Sequence, residues 1–562
     1  MMNTYKDNPQ IRFYLDNNSL LRRIVELREN SYEEAKHFDY APRDFEDAID
    51  NYDKVLEVVG EINEDILKKN AEEIDNEGPR CTNGRVRFAQ KTSEDLDITA
   101  KAGLCGLTMP RTYGGLNLPF SVYTAVNEII SSGDAGFETI WSLQDCIETL
   151  YCFGSEAQKA KYIPLVCAGA TMSMDLTEPD AGSDLQSVSL RATETAEGWV
   201  LNGVKRFITN GDSDLHLVLA RSEEGTTDGR GLSLFLYDNR DNKKNNSGQL
   251  TVRRIENKLG IHGSPTCELV FNNAKAEIIG ERKLGLIRYV MSLMNGARLG
   301  IAAQSVGIQQ AAWEEAVAYA SERSQYGQEI INITAVSQMI ATIRARLDAG
   351  RALLYECAKY VDLYKILEYT SHQRPLTPQE RKEMKEYQRL ADAFTPLAKG
   401  MNSEFCNSST YDCIQVHGGS GYMGEYRCQR LYRDARITSI YEGTTQLQVV
   451  AALRYIMNGT YLTFFKTYGY ESAQLNTLSA DIEYVRQLNN QDILELCGRS
   501  LYEMTAYTVM TMLMERDTKL SPDLFADSYE VFSNIAKSEI ARHSTLIHNI
   551  TQDNLSAYKQ KK

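Results

Sequence analysis

Between residues 172 and 285 the chain changes its period, and that change limits the folds open to it. WVLNGVKRFIT (199–209) places β-formers on both sides of Asn202-Gly203, a strong short-range hairpin signal. LHLVLA (215–220) and LSLFLY (232–237) alternate or run apolar, with Gly, Asp and Thr between them, and ELVFNN (268–273) ends the series. These runs predict a β-domain over 172–285.

On both sides the period is helical. From residue 10 to about 75 apolar residues recur at helical spacing, as in Leu20, Leu21, Ile24, Val25 and Leu27. EGPRCTNG (77–84) reads as a loop, and GLTMPRTYGGLNLPF as an irregular connection between helices. RLGIAAQSVGIQQAAWEEAVAYASER (298–323) is Ala-rich and free of proline, and TAVSQMIATIRARLDAGRALLYECAKYV is similar. SHQRPLTPQERKEMKEYQ (371–388) reads as an exposed loop leading into a helix with Pro378 near its first turn. Helical patterning continues from 463 to 562. The expected parts are an N-terminal helical extension (1–76), a helical domain (77–171), the β-domain (172–285), a helical bundle (286–462) and a helical tail (463–562).

A length of 562 residues exceeds one ordinary domain. With 61 basic against 76 acidic residues the net charge is −15, which argues against nonspecific binding to nucleic acid or anionic membrane. No run of about 18 apolar residues is present, so no membrane span is expected. MMNTYKDNPQIRFYLDNN lacks the apolar core of a signal peptide. Eleven scattered cysteines without CxxC spacing fit reduced thiols and a cytoplasmic location, and the seven histidines show no metal-ligand grouping, so no metal is expected.

Five segments could carry chemistry, and each also has a plain structural reading. LTEPDAGSD (176–184), with Thr177, Gly182 and Ser183, could bring N–H groups and hydroxyls to a phosphate or polar ring edge; it could equally be a surface turn. In KRFITNGD (205–212) the Thr209 hydroxyl ends a strand and could point into a cleft or simply start a turn. In SERSQYGQ (321–328) Arg323 closes a helix that Tyr326-Gly327 breaks; its fork suits a pyrophosphate, or a helix C-terminus. QVHGGSGYMGEY (415–426) permits close backbone approach through Gly418, Gly419 and Gly421, but lacks the strand context of a dinucleotide fingerprint. In RDARITSIYEGTTQLQ (433–448) Glu442 lies where one helix is expected to end and another to begin, with Thr444 or Thr445 as cap.

Taken in order, LTEPDAGSD, FITNG, KLGIHGSPT, ARLGIAAQ, ERSQYG, QVHGGSGY and IYEGTTQLQ resemble the acyl-CoA dehydrogenase family over about residues 100–455. The resemblance implies a mainly α fold: a helical domain, a central β-barrel or sandwich and a four-helix bundle, here with a C-terminal helical extension. It implies FAD held by Met174, Leu176, Thr177, Gly182, Ser183, Phe207, Ile208, Thr209, Thr444 and Gln446, with Thr209 near flavin N5. Arg323, Gln325, Gln415, Gly418 and Gly419 match contacts to FAD from a neighbouring subunit, which implies a homodimer or homotetramer. Ser183, Asn295, Arg298 and Gly443 match positions near the acyl-CoA. Asn295 stands where many members have Asp, and Thr334 where many have Gln.

The implied reaction is α,β-dehydrogenation of an acyl-CoA to the trans-2-enoyl-CoA, as in β-oxidation of fatty acids. Glu442 would be the base and the Glu442 N–H a donor to the thioester oxygen, with electrons passed to an electron-transferring flavoprotein. A family oxidase would use oxygen instead, and a flavin-containing, DNA-associated stress protein on the same scaffold would need a basic surface that a −15 chain does not suggest. The extra length resembles the longer bacterial branch of the family. Its tail is expected to pack on the core or on a partner subunit.

Overall fold

A computed structural model describes residues 2–558. The chain divides into two compact units, one of residues 2–15, 19–300 and 365–375, the other of 16–18, 301–364 and 376–558.

The first unit begins with helices α1 (Pro9–Asp16), α2 (Leu21–Arg28), α3 (Phe45–Ile62) and α4 (Lys68–Glu77). Asp44 caps α3 by accepting from Asp47 N–H, and Ala48, Tyr52, Leu56 and Val59 turn one face inward. The segment 77–84, expected as a loop, instead contains strand β1 (Arg80–Thr82) paired with β2 (Arg85–Arg87). Asn83 (φ 52°) and Gly84 (φ 75°) form the two-residue turn between them, the geometry that Asn-Gly favours. Helices α5 (Gln90–Lys101), α6 (Phe120–Gly133), α7 (Ala135–Trp141), α8 (Ile147–Phe153) and α9 (Glu156–Cys167) follow. The connection over 104–119 is irregular, as its Gly and Pro content predicts.

Seven strands make the sheet: β3 (Met172–Asp175), β4 (Arg191–Thr195), β5 (Gly198–Thr209), β6 (Leu215–Arg221), β7 (Leu232–Asp238), β8 (Leu250–Ile255) and β9 (Thr266–Ile279). Short helix α10 (Arg240–Asn245) lies between β7 and β8. The order β3-β6-β4-β5-β9-β7 closes on itself because β6 also pairs with β7. One apolar cluster, including Trp199, Leu201, Val218, Phe235 and Phe271, packs on the sheet; a second joins Leu217, Leu219, Leu234 and Leu236 to Leu150, Tyr162, Ile163 and Val166 of α8 and α9.

The Asn202-Gly203 hairpin is overturned. Strand β5 runs straight through this pair, and the hairpin turn lies two residues before the strand's first tryptophan, where Thr195 faces Gly198. Asn202-Gly203 forms a bulge against β9, with Gly203 at φ 144°. A Cβ there would stand 3.0 Å from Leu190, and the Asn202 side chain bonds across to Asn273. Strand β9 also continues six residues past the expected end at Asn273.

The second unit is helical. Helix α11 (Met291–Glu322) leads to a small hairpin of β10 (Ser324–Gln325) and β11 (Gln328–Glu329), followed by α12 (Thr334–Gln373) and α13 (Pro378–His417). The loop expected from residue 371 is shorter than predicted, because α12 persists to Gln373. Thr377 and Glu380 form a capping box, with Pro378 in the first turn. Then come α14 (Arg427–Thr438), α15 (Thr445–Met457), α16 (Thr460–Thr467), α17 (Ala473–Leu488), α18 (Gln491–Leu520) and α19 (Pro522–Asn549). The tail packs on its own bundle: α18 lies against α13 and α15. Pro396 interrupts the amide ladder of α13, and nearby carbonyls accept from Tyr461 Oη (Ala393, 2.5 Å) and Tyr502 Oη (Pro396, 3.0 Å). None of the eleven cysteines is joined in a disulfide.

Candidate active site

In the first unit the LTEPDAGSD loop follows β3 and is locked by Glu178. Its Oε1 accepts from Leu190 N–H and Lys205 Nζ, each at 2.9 Å, and its Oε2 from Ser189 N–H at 2.8 Å and Ser189 Oγ at 2.7 Å. Burial alone would raise the Glu178 pKa, but the Lys205 ammonium and the two N–H groups outweigh it and hold the carboxyl below its usual value. Lys205 also donates to Leu176 O at 2.8 Å, and Arg206 N–H to Thr177 O at 2.9 Å. Those bonds fasten the loop to the last residues of β5.

There β5 bulges a second time, between Lys205 and Ile208. Phe207 takes φ 60°, rare for an aromatic residue, and its ring is 52% exposed with the Arg206 guanidinium 4.7 Å from its centre. The bulge lifts the ring out of the sheet surface. Thr177 and Thr209 are half-buried, Gly182 and Ser183 exposed, and Met174 half-buried. Leu176 and Ile208 are buried in the two apolar clusters, so only their backbones can face a ligand. On α11, Arg298 Nη1 lies 3.4 Å from Asn295 Oδ1, and both residues are half-buried.

In the second unit the third and fourth motifs meet. Helix α11 stops at Glu322, so Arg323 opens the hairpin rather than closing the helix; Tyr326 (φ 54°) and Gly327 (φ 78°) turn it. One turn earlier, Tyr319 stacks on His417 at 4.2 Å and its hydroxyl donates to Ser420 Oγ at 3.2 Å. Arg323, Gln325, Gln415, Gly418 and Gly419 are all exposed, and a Cβ on Gly418 or Gly419 would meet nothing within 4 Å. Tyr326 is 94% exposed and Tyr422 84%, an unusual density of bare aromatic surface.

Glu442 sits between α14 and α15, half-buried, at φ 53°, followed by Gly443 at φ 87°. Thr444 caps α15 by accepting from Leu447 N–H, and Gln446 is exposed. The turn is held from beneath. Fully buried Lys399 of α13 donates to Gly443 O at 2.7 Å, Gln448 donates to the same oxygen at 2.9 Å, and Tyr441 Oη to Gln304.

Sequence reasoning missed Lys399, Gln448, Glu178 and Lys205. A lysine within the apolar run FTPLAKGM was the only sign of the first. Glu503, Glu539 and His543 also converge in the tail, a grouping that histidine spacing does not reveal. Arg499 and Arg542 already pair with its carboxylates, which suits an ion-pair network.

Comparison with known proteins gives the class to which this helical, β and helical chain belongs. Four family models match in sequence: acyl-CoA dehydrogenase N-terminal domain over 51–170, middle domain over 173–274, C-terminal domain over 299–446, and acyl-CoA dehydrogenase C terminal over 458–555. The 3-methylmercaptopropionyl-CoA dehydrogenase of Ruegeria pomeroyi is 35% identical over 66% of this chain, a match that spans 65% of that protein, just under two thirds of its length. An acyl-CoA dehydrogenase of Bacillus subtilis is 36% identical over 64% of this chain and 88% of its own. The solved butyryl-CoA dehydrogenase of Megasphaera elsdenii matches with TM-score 0.60 and 28% identity over 71% of this chain and 96% of its own. The chain belongs to the acyl-CoA dehydrogenase family, whose members are FAD-binding oxidoreductases. Among the described residues no helix is long and apolar enough to cross a membrane.

Proposed function

We propose that the chain oxidises an acyl-CoA thioester to the trans-2-enoyl-CoA with Glu442 as base. The observation that carries this is the Glu442 turn: a carboxylate in left-handed backbone, anchored through its neighbour's carbonyl by Lys399 and Gln448. Strain of about 1–3 kcal/mol at such a residue persists only where the surroundings enforce it.

The residues present fit FAD. The first unit offers hydroxyls and N–H groups at half-buried Thr177 and Thr209 and at exposed Gly182 and Ser183, with a bare aromatic ring at Phe207, and the second offers the exposed Arg323 guanidinium and the open backbone of Gly418 and Gly419. FAD, when bound, supplies the acceptor for the hydride leaving the β-carbon. Met174, Leu176, Thr177, Gly182, Ser183, Phe207, Ile208, Thr209, Thr444 and Gln446 hold it in this reading. Arg323, Gln325, Gln415, Gly418 and Gly419 reach the FAD of a neighbouring subunit, and the bare Tyr326 and Tyr422 support such an assembly, a homodimer or homotetramer.

Glu442 takes the α-proton. The thioester oxygen gains charge as that proton leaves, and the Glu442 N–H stabilises it. Ser183, Asn295, Arg298 and Gly443 bind the acyl-CoA. An electron-transferring flavoprotein then receives the electrons, in the cytoplasm. Glu442→Gln is expected to stay yellow yet fail to bleach with any acyl-CoA under anaerobic conditions; bleaching at near the unmodified rate overturns the base assignment. Peroxide production in air would instead mark an oxidase.

A further inference from the structure

Lys399 and Gln448 hold the Glu442 turn by the Gly443 carbonyl, and a second brace holds the turn where α15 begins. Thr445 N–H donates to Ser439 O at 3.0 Å, which closes a loop with Glu442 at its middle. Thr444 already caps α15, so the Thr445 hydroxyl has no part in starting that helix. It donates instead to Glu404 Oε1 of α13 at 2.6 Å, from a buried position, with Ser439 O farther off at 3.4 Å. A carboxylate acceptor makes this one of the stronger kinds of hydrogen bond, and it fixes a side chain three residues from the proposed base.

The tail in turn holds Glu404. Arg499 of α18 brings Nη2 to 3.6 Å from Glu404 Oε2, and its Nε bonds Glu503 Oε1 one turn further on. The other Glu503 oxygen lies 2.7 Å from His543 Nε2 of α19, and the neighbouring Arg542 pairs with Glu539 at 2.7 Å. Arg499 therefore sits between two carboxylates and offsets their repulsion. An isolated, partly exposed pair would do little, but alternating charges tied together across α18 and α19 fix its geometry. Every residue on this path belongs to the second unit.

None of Glu404, Thr445 and Arg499 is assigned above to FAD or acyl-CoA, so they can affect the reaction only through the turn. Proton transfer needs the base within hydrogen-bond reach of the α-carbon's proton, and a small displacement of a reacting group costs rate more than binding. Resting on the dehydrogenation reading above, we propose that Glu404 and Arg499 are positioning residues for Glu442: the tail fixes Glu404 through Arg499, and Glu404 fixes, through Thr445, the turn that aims the base. The tail then serves the reaction as well as the fold.

The test is anaerobic flavin bleaching by the FAD-loaded full chain over a range of acyl-CoA concentrations, with whichever straight-chain acyl-CoA from C4 to C16 bleaches it fastest. Thr445→Val keeps the shape and removes the hydroxyl, and Glu404→Ala removes its acceptor. Each is expected to lower the limiting bleaching rate at least about 10-fold, while the half-saturating concentration and the FAD content stay within about two-fold. Thr445→Ser restores the hydroxyl and should return the rate to near that of the unmodified protein. Arg499→Met leaves Thr445 bonded to Glu404 and is expected to cost about 2–5-fold. A merely structural brace would lower the thermal midpoint and leave the limiting rate alone. Unchanged limiting rates in Thr445→Val and Glu404→Ala overturn the proposal, and an unchanged rate in Arg499→Met overturns the tail's share in it. If the first two variants fail to fold, Arg499→Met, at a partly exposed position, still decides. Unchanged rates in these variants beside a Glu442→Gln protein that does not bleach remove this inference alone and leave the dehydrogenation reading intact. An unmodified protein that no acyl-CoA bleaches removes both.

Discussion

Lys399 lies wholly buried with its ammonium 2.7 Å from the Gly443 carbonyl, one residue from the proposed base. Lys399→Met keeps the volume and removes the donor. Gln448 still reaches the carbonyl, so the fold should survive while the turn loosens. A charged hydrogen bond of this kind contributes about 1.5–3 kcal/mol, and a ten-fold or greater fall in bleaching rate with FAD retained is the expected result. An unchanged rate would show that Gln448 alone sets the turn. Asp95 makes the opposite case. Desolvation raises its pKa to about 6, against a bond from Asn70 at 2.7 Å. A carboxyl raised in the folded state is neutral at low pH without penalty and destabilises as pH climbs from the unfolded value near 3.8 past 6. Asp95→Asn should therefore stabilise at pH 7.5 by up to about 3 kcal/mol and give little at pH 4. Urea titrations at the two pH values test this, and an equal gain at both would refute it. Neither residue could be picked out beforehand. Glu178 and Lys205 are 27 residues apart and Glu148 and Tyr369 are 221 apart, and a charged residue in a sequence does not say which partner it will meet.

At the scale of elements, two of the residues in the family motifs share strained backbone. Phe207 and Glu442 both sit in left-handed backbone, one in a bulge and one in an interhelical turn. For a half-exposed aromatic this conformation costs about 1–2 kcal/mol, with little burial to offset it. Phe207→Gly should leave the thermal midpoint of the FAD-free protein unchanged or higher, while weakening FAD retention on gel filtration. A variant that keeps FAD as firmly as the unmodified protein would remove the ring from the flavin site. The same physics decides what could be read in advance. Thr444 was legible as a cap, and the start of α13 through Pro378, because the signals that open a helix are local. Asn-Gly was legible only halfway. At 83–84 it makes a two-residue turn, and at 202–203 it lies inside a strand, because β9 supplies a long partner and Leu190 packs where a side chain would have been. The local signal is equal in the two places, and the tertiary partner differs.

Over the whole chain, the order of helices, sheet and helices followed from periodicity, while the purpose of the last hundred residues did not. Their helices read as amphipathic, but the surface they cover is set by pairings invisible in sequence. Within the second unit, Arg516 of α18 reaches Glu356 of α12 at 2.7 Å. Burial would raise the Glu356 pKa, yet Lys359 and Arg516 together pull it down to about 2. A carboxylate depressed in the folded state stabilises fully above the unfolded value near 4.5, and that contribution fades as pH falls toward 2. Arg516→Met leaves Glu356 with Lys359 and the Tyr360 hydroxyl, so acid unfolding should begin at higher pH. Tyr502 adds a second tie, since its hydroxyl serves the carbonyl of Pro396 and fills the space over Gly400, where a Cβ would come within 2.1 Å of it. Cutting the chain after residue 462 would uncover the α13 and α15 faces that α18 now buries, together with the charge on Glu356. Exposing the apolar faces of these core helices removes a large part of ordinary domain stability. The truncated chain is therefore expected to be insoluble, or to lose cooperative unfolding and release FAD. If it instead stays folded, yellow and active, the tail is a separable appendage and not part of the bundle's core.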